Sequence, residues 1–193
     1  MINLIVRFCL NIFYSIFFRV RVEGKENVPK EGAYVIAPKH ISNWDPPLLA
    51  GKLRRKDVYI MAKRELFVNN FVKLAAKKTH VIPVDRSGHD TAVIKESVKI
   101  LKKGHPLLMF PEGTRNGIEK HNKIHKGAIV IANMAKVPIV PIGIRATYKP
   151  FSKITIVYGK PIDLSQKRLE KEEIDEVTEK LKDDIIMLTN GEK

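Results

Sequence analysis

The chain has 193 residues, of which 44% are hydrophobic and 29% charged. That balance excludes a disordered polypeptide and suits one domain of α/β size with a core of its own. A formal net charge of +14 points to polyanionic partners: nucleic acid, anionic lipid headgroups or phosphorylated substrates. Cys9 is the single cysteine, so no intrachain disulfide forms and a reducing compartment is expected.

Residues Ile2 to Phe18 are almost wholly apolar, with Arg7 as the only charge and Arg19 and Arg21 following. The uncharged run from Phe8 to Phe18 is about eleven residues, well short of the roughly 20 that a spanning helix needs. No small-residue cleavage site follows it, so a removed signal peptide is not expected. Phe8, Phe13, Tyr14, Phe17 and Phe18 surround a helix instead of lining one stripe. That pattern predicts a helix lying in the membrane interface, arginines at the headgroups. Residues 1–22 are therefore set apart as an apolar membrane-association segment from the remaining residues 23–193.

Phe18, Val20 and Val22 alternate with Arg19 and Arg21 as in a half-exposed strand. After a polar loop from Gly24 to Gly32, Ala33–Ala37 is a short buried-strand run. It leads into Lys39-His40-Ile41-Ser42-Asn43-Trp44-Asp45-Pro46-Pro47. Asp45-Pro46-Pro47 opens a helix, with the aspartate able to cap it, and Arg54-Arg55-Lys56 closes it where the dipole favours positive charge. Further strands are predicted at Val58–Ala62, His80–Val84, Pro106–Phe110, Pro138–Ile144 and Ile154–Tyr158. Pro141 argues for an edge or a bulge in the fifth of the chain's buried strands. Helices are predicted over Asn70–Lys78, Asp90–Lys103, Lys126–Lys136 and Lys167–Leu188. Strands alternating with helices give a single-domain α/β sandwich with a mostly parallel central sheet flanked by helices.

The polar clusters follow strands, and in open α/β sheets ligands bind at the C-terminal strand edge. His40 and Asp45 stand five positions apart after the first buried strand. Histidine takes a proton near neutral pH, and a carboxylate fixes its tautomer. Lys63 ends the second strand. Glu112-Gly113-Thr114-Arg115 follows the fourth. There the glycine permits a sharp turn, the arginine offers a planar fork suited to phosphate, and the glutamate either holds the arginine or accepts a substrate hydroxyl. His121 and His125 have helical metal-ligand spacing, but Asn122 stands where a zinc protease places glutamate, and no metal site is expected. No phosphate-binding loop of nucleotidase type and no glycine-rich dinucleotide fingerprint is present. With no serine or cysteine in a nucleophile-type turn, the nucleophile is read as the substrate's own hydroxyl. The basic residues imply a phosphate on that substrate, and the apolar N-terminus implies a lipid.

Four blocks in this order resemble the glycerolipid acyltransferases, most closely the bacterial 1-acyl-glycerol-3-phosphate acyltransferases: His40 to Asp45; Lys63-Arg64-Glu65-Leu66-Phe67 leading to Ile82-Pro83-Val84-Asp85-Arg86; Phe110 to Arg115; and Val137-Pro138-Ile139-Val140-Pro141. The resemblance implies that residues 23–193 are an acyltransferase domain in which His40 is general base and Asp45 orients it. Arg115 would bind the phosphate of lysophosphatidic acid, Glu112, Gly113 and Thr114 would shape the acceptor site, and Lys63 would add positive charge. An acyl thioester of acyl carrier protein or coenzyme A would be the co-substrate, with no cofactor and no metal. The expected setting is the cytoplasmic face of the cell membrane, bound to its anionic surface without crossing it. Acylation of another lysolipid or of glycerol-3-phosphate is the alternative. A non-catalytic module binding nucleic acid or anionic membrane would explain the charge but give no reason for His40/Asp45, and no nucleic-acid partner is expected. Two positions depart from the family pattern: Lys39 stands where asparagine usually precedes the histidine, and Val68-Asn69-Asn70 replaces the proline and glycine that tend to follow Phe67.

Overall fold

The structure, a computed structural model, describes residues 4–53, 55–64, 80–84 and 91–191. The helix predicted over Asn70–Lys78 and the Asp85-Arg86 end of the second block lie outside the described residues. Seven strands form one sheet: β1 (Arg19–Glu23), β2 (Val35–Pro38), β3 (Tyr59–Lys63), β4 (Val81–Val84), β5 (Leu107–Leu108), β6 (Ile139–Ala146) and β7 (Lys153–Tyr158). Their order is β1-β7-β6-β2-β5-β3-β4, and β6 with β7 is the one antiparallel pair among these strands. The mostly parallel α/β sheet is thus as expected.

Helices cover both faces, so the central strands are apolar on both sides, as parallel sheets require. All four residues of β2 are buried. Ile36 joins Leu48, Leu49, Leu108, Val140 and Ile142 under α1 (Leu4–Phe17) and α2 (Asp45–Lys52). Val35 and Ala37 point the other way. They meet Leu107 and Ile139 under α3 (Thr91–Lys102), α5 (Gly127–Ala135) and α6 (Lys171–Asn190). The short α4 (Gly117–His121) lies between α3 and α5 in the chain. Leu48 and Ile129 are wholly buried, each contributing roughly 1.5–3 kcal/mol of transfer free energy. At Gly143 a Cβ would stand 2.6 Å from the backbone of Leu188, so α6 sits on β6 at a distance only glycine allows.

Pro141 lies in β6, an interior strand, and the predicted edge is not found. The predicted bulge is. Between the bridge Ile139↔Ile162 and the first ladder pair Ile142↔Tyr158, β6 advances three residues and its partner four. Pro141 sits opposite this extra residue, where its carbonyl accepts the Gly159 N–H at 2.9 Å and its missing donor is not called on.

The N-terminal segment is more deeply built in than its composition suggests. The division expected at residue 22 falls inside β1, whose five residues pair with Lys153–Val157 of β7. The aromatic residues of α1 also separate into two faces. Tyr14 is fully buried and Phe18, just beyond the helix, nearly so, with Leu10 and Phe13 packed on the same core. Ile5, Val6, Phe8, Ile12, Ile16 and Phe17 are exposed. Arg7 lies on the inward side. Its guanidinium donates to the carbonyls of Arg55 (2.9 Å), Gly51 (3.4 Å) and Leu53, and Asn11 donates to Gly51 at 3.1 Å. Gly51 lies in the last turn of α2 and Leu53 is its C-cap residue, so α1 supplies positive charge at the helix end where Arg54–Lys56 was expected to. Arg55 instead grips Asp57 with both arms of its fork, at 2.8 and 2.6 Å. Among the described residues no helix is long and apolar enough to cross a membrane.

Candidate active site

β2, β3 and β5 run parallel, so the segments after them emerge on one edge of the sheet, and two of the three predicted clusters meet there. His40 Nδ1 lies 2.9 Å from Asp45 Oδ2. The same oxygen accepts the N–H groups of Ile41 and Ser42, each at 2.7 Å. Asp45 is completely buried, and its carboxylate is turned back into the His40 loop. It therefore does not cap α2 as expected; Trp44 occupies the cap position without a side-chain bond. With Nδ1 held by a carboxylate, the ring proton resides there and the lone pair is on Nε2. The imidazole is 13% exposed, enough to be reached from solvent, and Phe110 packs on it with ring centroids 4.1 Å apart.

Glu112 reaches this site by a route other than the two considered from sequence. Its carboxylate does not touch Arg115. Oε1 accepts the backbone N–H of His40 at 2.6 Å, and Oε2 accepts that of Ile118, the second residue of α4, at 2.9 Å. Glu112 is only 3% exposed. The His40 carbonyl accepts the Asn116 N–H at 2.7 Å, so the histidine peptide is clamped on both sides by the loop after β5. Gly113 in that loop has φ +68, and a Cβ there would lie 2.6 Å from the His125 ring. The sharp turn read from the sequence is a conformational necessity.

Thr114 and Arg115 are exposed and, with Ile41, Asn116 and Lys120, line a cleft of about 390 Å³. It starts at the residue after His40 and carries two cations, Arg115 and Lys120. Lys63 ends β3 on the same edge, one strand beyond β5, but is outside this lining. A larger cavity of about 540 Å³, lined by residues of β6, β7 and α6 including Arg145 and Met187, contains none of the predicted site residues.

Lys39, the departure from the family pattern, is 3% exposed and pairs through Nζ with Glu119 of α4. Burial alone would raise the Glu119 carboxyl, but the bond to Lys39 and its charge outweigh that and hold it below the ordinary value. Lys39 thus ties β2 to the helix behind the arginine loop. Sequence reading missed Tyr148 altogether. Its hydroxyl donates to Asp45 Oδ1 at 2.5 Å. Burial, then the Asp45 charge and this hydrogen bond, push the Tyr148 phenol far up. Tyr14 of α1, raised likewise by burial and by Asp45, donates to the Trp44 carbonyl at 2.7 Å.

Fold and site together define an α/β protein with a histidine–aspartate pair at the carboxyl edge of a mostly parallel sheet, beside a cationic cleft. The family model described as Acyltransferase matches residues 19–145, and the chain belongs to that family. It is 36% identical over 169 residues to a 1-acyl-sn-glycerol-3-phosphate acyltransferase of Bacillus subtilis, covering 81% of either chain. It is 30% identical to the enzyme of that name from Streptococcus pneumoniae, covering 88% of this chain and 66% of that one. A crystal structure of the 1-acyl-sn-glycerophosphate (LPA) acyltransferase PlsC from Thermotoga maritima superposes with a TM-score of 0.71 at 25% identity, over 95% of this chain and 78% of that one.

Proposed function

We propose that the chain transfers a fatty acyl group from a thioester to the sn-2 hydroxyl of 1-acyl-sn-glycerol-3-phosphate, giving phosphatidic acid. The observation that carries this reading is His40, fixed through Nδ1 by a buried carboxylate and adjacent in the chain to Ile41, which lines a cleft bearing Arg115 and Lys120. Nε2 removes the proton of the lipid hydroxyl as its oxygen attacks the thioester carbonyl. Asp45 keeps the Nδ1 proton in place and stabilises the imidazolium. When the tetrahedral intermediate collapses, the carbon–sulfur bond breaks and the imidazolium returns its proton to the leaving thiolate. The proton cycle closes without a cofactor, and either acyl carrier protein or coenzyme A serves as the thiol. Arg115, with Thr114 and Lys120, receives the acceptor's phosphate through charge-assisted hydrogen bonds. Gly113 shapes the loop, and Lys63 adds to the positive potential of the edge.

On this reading the chain is monotopic at the cytoplasmic face of the membrane, and the exposed apolar face of α1 supports the attachment itself. At fourteen residues the helix is about 21 Å long, too short for a core of roughly 30 Å but suited to lying in the interface. Trp44, half exposed and stacked on Phe13 at 5.6 Å, extends that face to the His40 loop, where a lipid acceptor would enter. The test is mass spectrometry of the products formed from lysophosphatidate, glycerol-3-phosphate and other lysolipids with each donor, using the parent and His40→Ala. Phosphatidate from the parent and none from a folded His40→Ala is the expected result. A product from another acceptor alone, or full activity in the variant, would refute it.

A further inference from the structure

Tyr148 belongs to none of the four sequence blocks, yet it is the one side chain other than His40 seen bonded to the Asp45 carboxylate among the described residues. It stands two positions after the end of β6, 103 positions from Asp45. Its backbone has φ +53, a left-handed conformation that a residue with a bulky side chain adopts only when its surroundings hold it there. The surroundings do so. The ring packs on the sheet's core and meets Phe18 edge-on, centroids 6.0 Å apart at 82°, and the buried hydroxyl ends on Oδ1. The carboxylate's two oxygens thus have separate duties. Oδ2 serves the His40 ring and two amides, while Oδ1 is pinned by the phenol, which stops the carboxylate from rotating about its bond to Cβ.

We propose that Tyr148 is a positioning residue for acyl transfer: by holding Asp45 Oδ1 it fixes the plane of the carboxylate and so the direction in which His40 Nε2 points. The inference rests on the general-base reading of His40. Tyr148 touches no reacting atom. Its contribution is geometric and passes through Asp45, in the manner of the partners that orient ligating or catalytic side chains elsewhere.

The experiment is a kinetic cycle of Tyr148→Phe, Asp45→Asn and the double variant, with His40→Ala as control and thermal melts for each. Tyr148→Phe keeps the ring and its packing, so it should fold cooperatively, with Tm lowered by roughly 3–12 °C for the bond lost to a buried carboxylate. Its kcat should fall about tenfold, the effect of one charge-assisted hydrogen bond on orientation, with the KM for either substrate changed less than twofold. In the Asp45→Asn background the same replacement should cost less than twofold. Full kcat in Tyr148→Phe, or an equal loss in both backgrounds, would overturn the inference while leaving His40 as base. An active His40→Ala would remove the reading beneath it.

Discussion

Glu112→Gln separates two roles for the family's acidic residue, substrate ligand and internal brace. The carboxylate now receives backbone N–H groups on both oxygens, at 2.6 and 2.9 Å, in a 3%-exposed position. Glutamine keeps one acceptor oxygen but turns an NH2 group toward the other N–H, so two donors face each other. One charge-assisted bond, roughly 1.5–3 kcal/mol, is lost, and a buried donor is left unsatisfied at about 1–3 kcal/mol. A loss of about 3 kcal/mol follows, which for a chain of this size lowers Tm by roughly 6–12 °C. In either amide orientation the brace between His40 and Ile118 loses one of its two bonds, so kcat should drop as well, with the acceptor KM little changed. Calorimetry with steady-state kinetics on the same preparation measures both. An unshifted Tm with a raised acceptor KM as the sole effect would show that Glu112 binds substrate and would refute the brace.

Arg115→Ala should raise the KM for the phosphorylated acceptor about 10–100-fold and leave the donor KM alone; a change confined to the donor contradicts the phosphate role. Replacing Phe8 and Ile12 by serine should weaken co-sedimentation with anionic vesicles about 100-fold, since both side chains are exposed on the outer face of α1. Unchanged sedimentation would show that this face does not meet lipid. Asp57 is held well below the usual carboxyl range, first by the Arg55 bond and, against opposing burial, by His105 at 2.9 Å. A carboxyl depressed by folding adds stability above its unfolded value and loses it as the pH falls toward the folded one. The urea midpoints of parent and Asp57→Asn should therefore differ at neutral pH and converge progressively below about pH 4. A gap that stays constant with pH would exclude the linkage.

Contacts close along the chain were legible in the sequence, and those made across the sheet were not. The apolar runs around β2, β5 and β6 and the polar residues after them announce a parallel sheet with a functional edge, and five-residue spacing suffices to pair His40 with Asp45. Glu112 was visible as a site residue, but beside Arg115 it invited a local ion pair. Its real partners, 72 residues back at His40 and six ahead at Ile118, are backbone amides, which carry no residue code. Lys39 departed from the family's usual asparagine, and the partner that accounts for it, Glu119, is 80 positions away. Tyr148 offered no signal at all, since a tyrosine after a strand is ordinary until topology places it over Asp45. Aromatic residues do lie all round α1, but which of them pack on α2 and which face outward was not legible, because that division into two environments is set by contacts with α2 and the sheet.

Those two environments can be read as interleaved stripes of one helix. Arg7, Asn11 and Tyr14 recur at steps of four and three and hold α2 at both ends, two at its last carbonyls and one at the Trp44 carbonyl beside Asp45. Ile5, Phe8, Ile12 and Ile16 recur on the opposite side and face outward. Anchor and scaffold are therefore not separable by cutting the chain. Trimming residues 1–17 would remove the outward apolar stripe and, with it, the contacts that hold α2, the helix that opens at Asp45. Substitution within the outward stripe changes the exposed apolar face and leaves the grip on α2 in place.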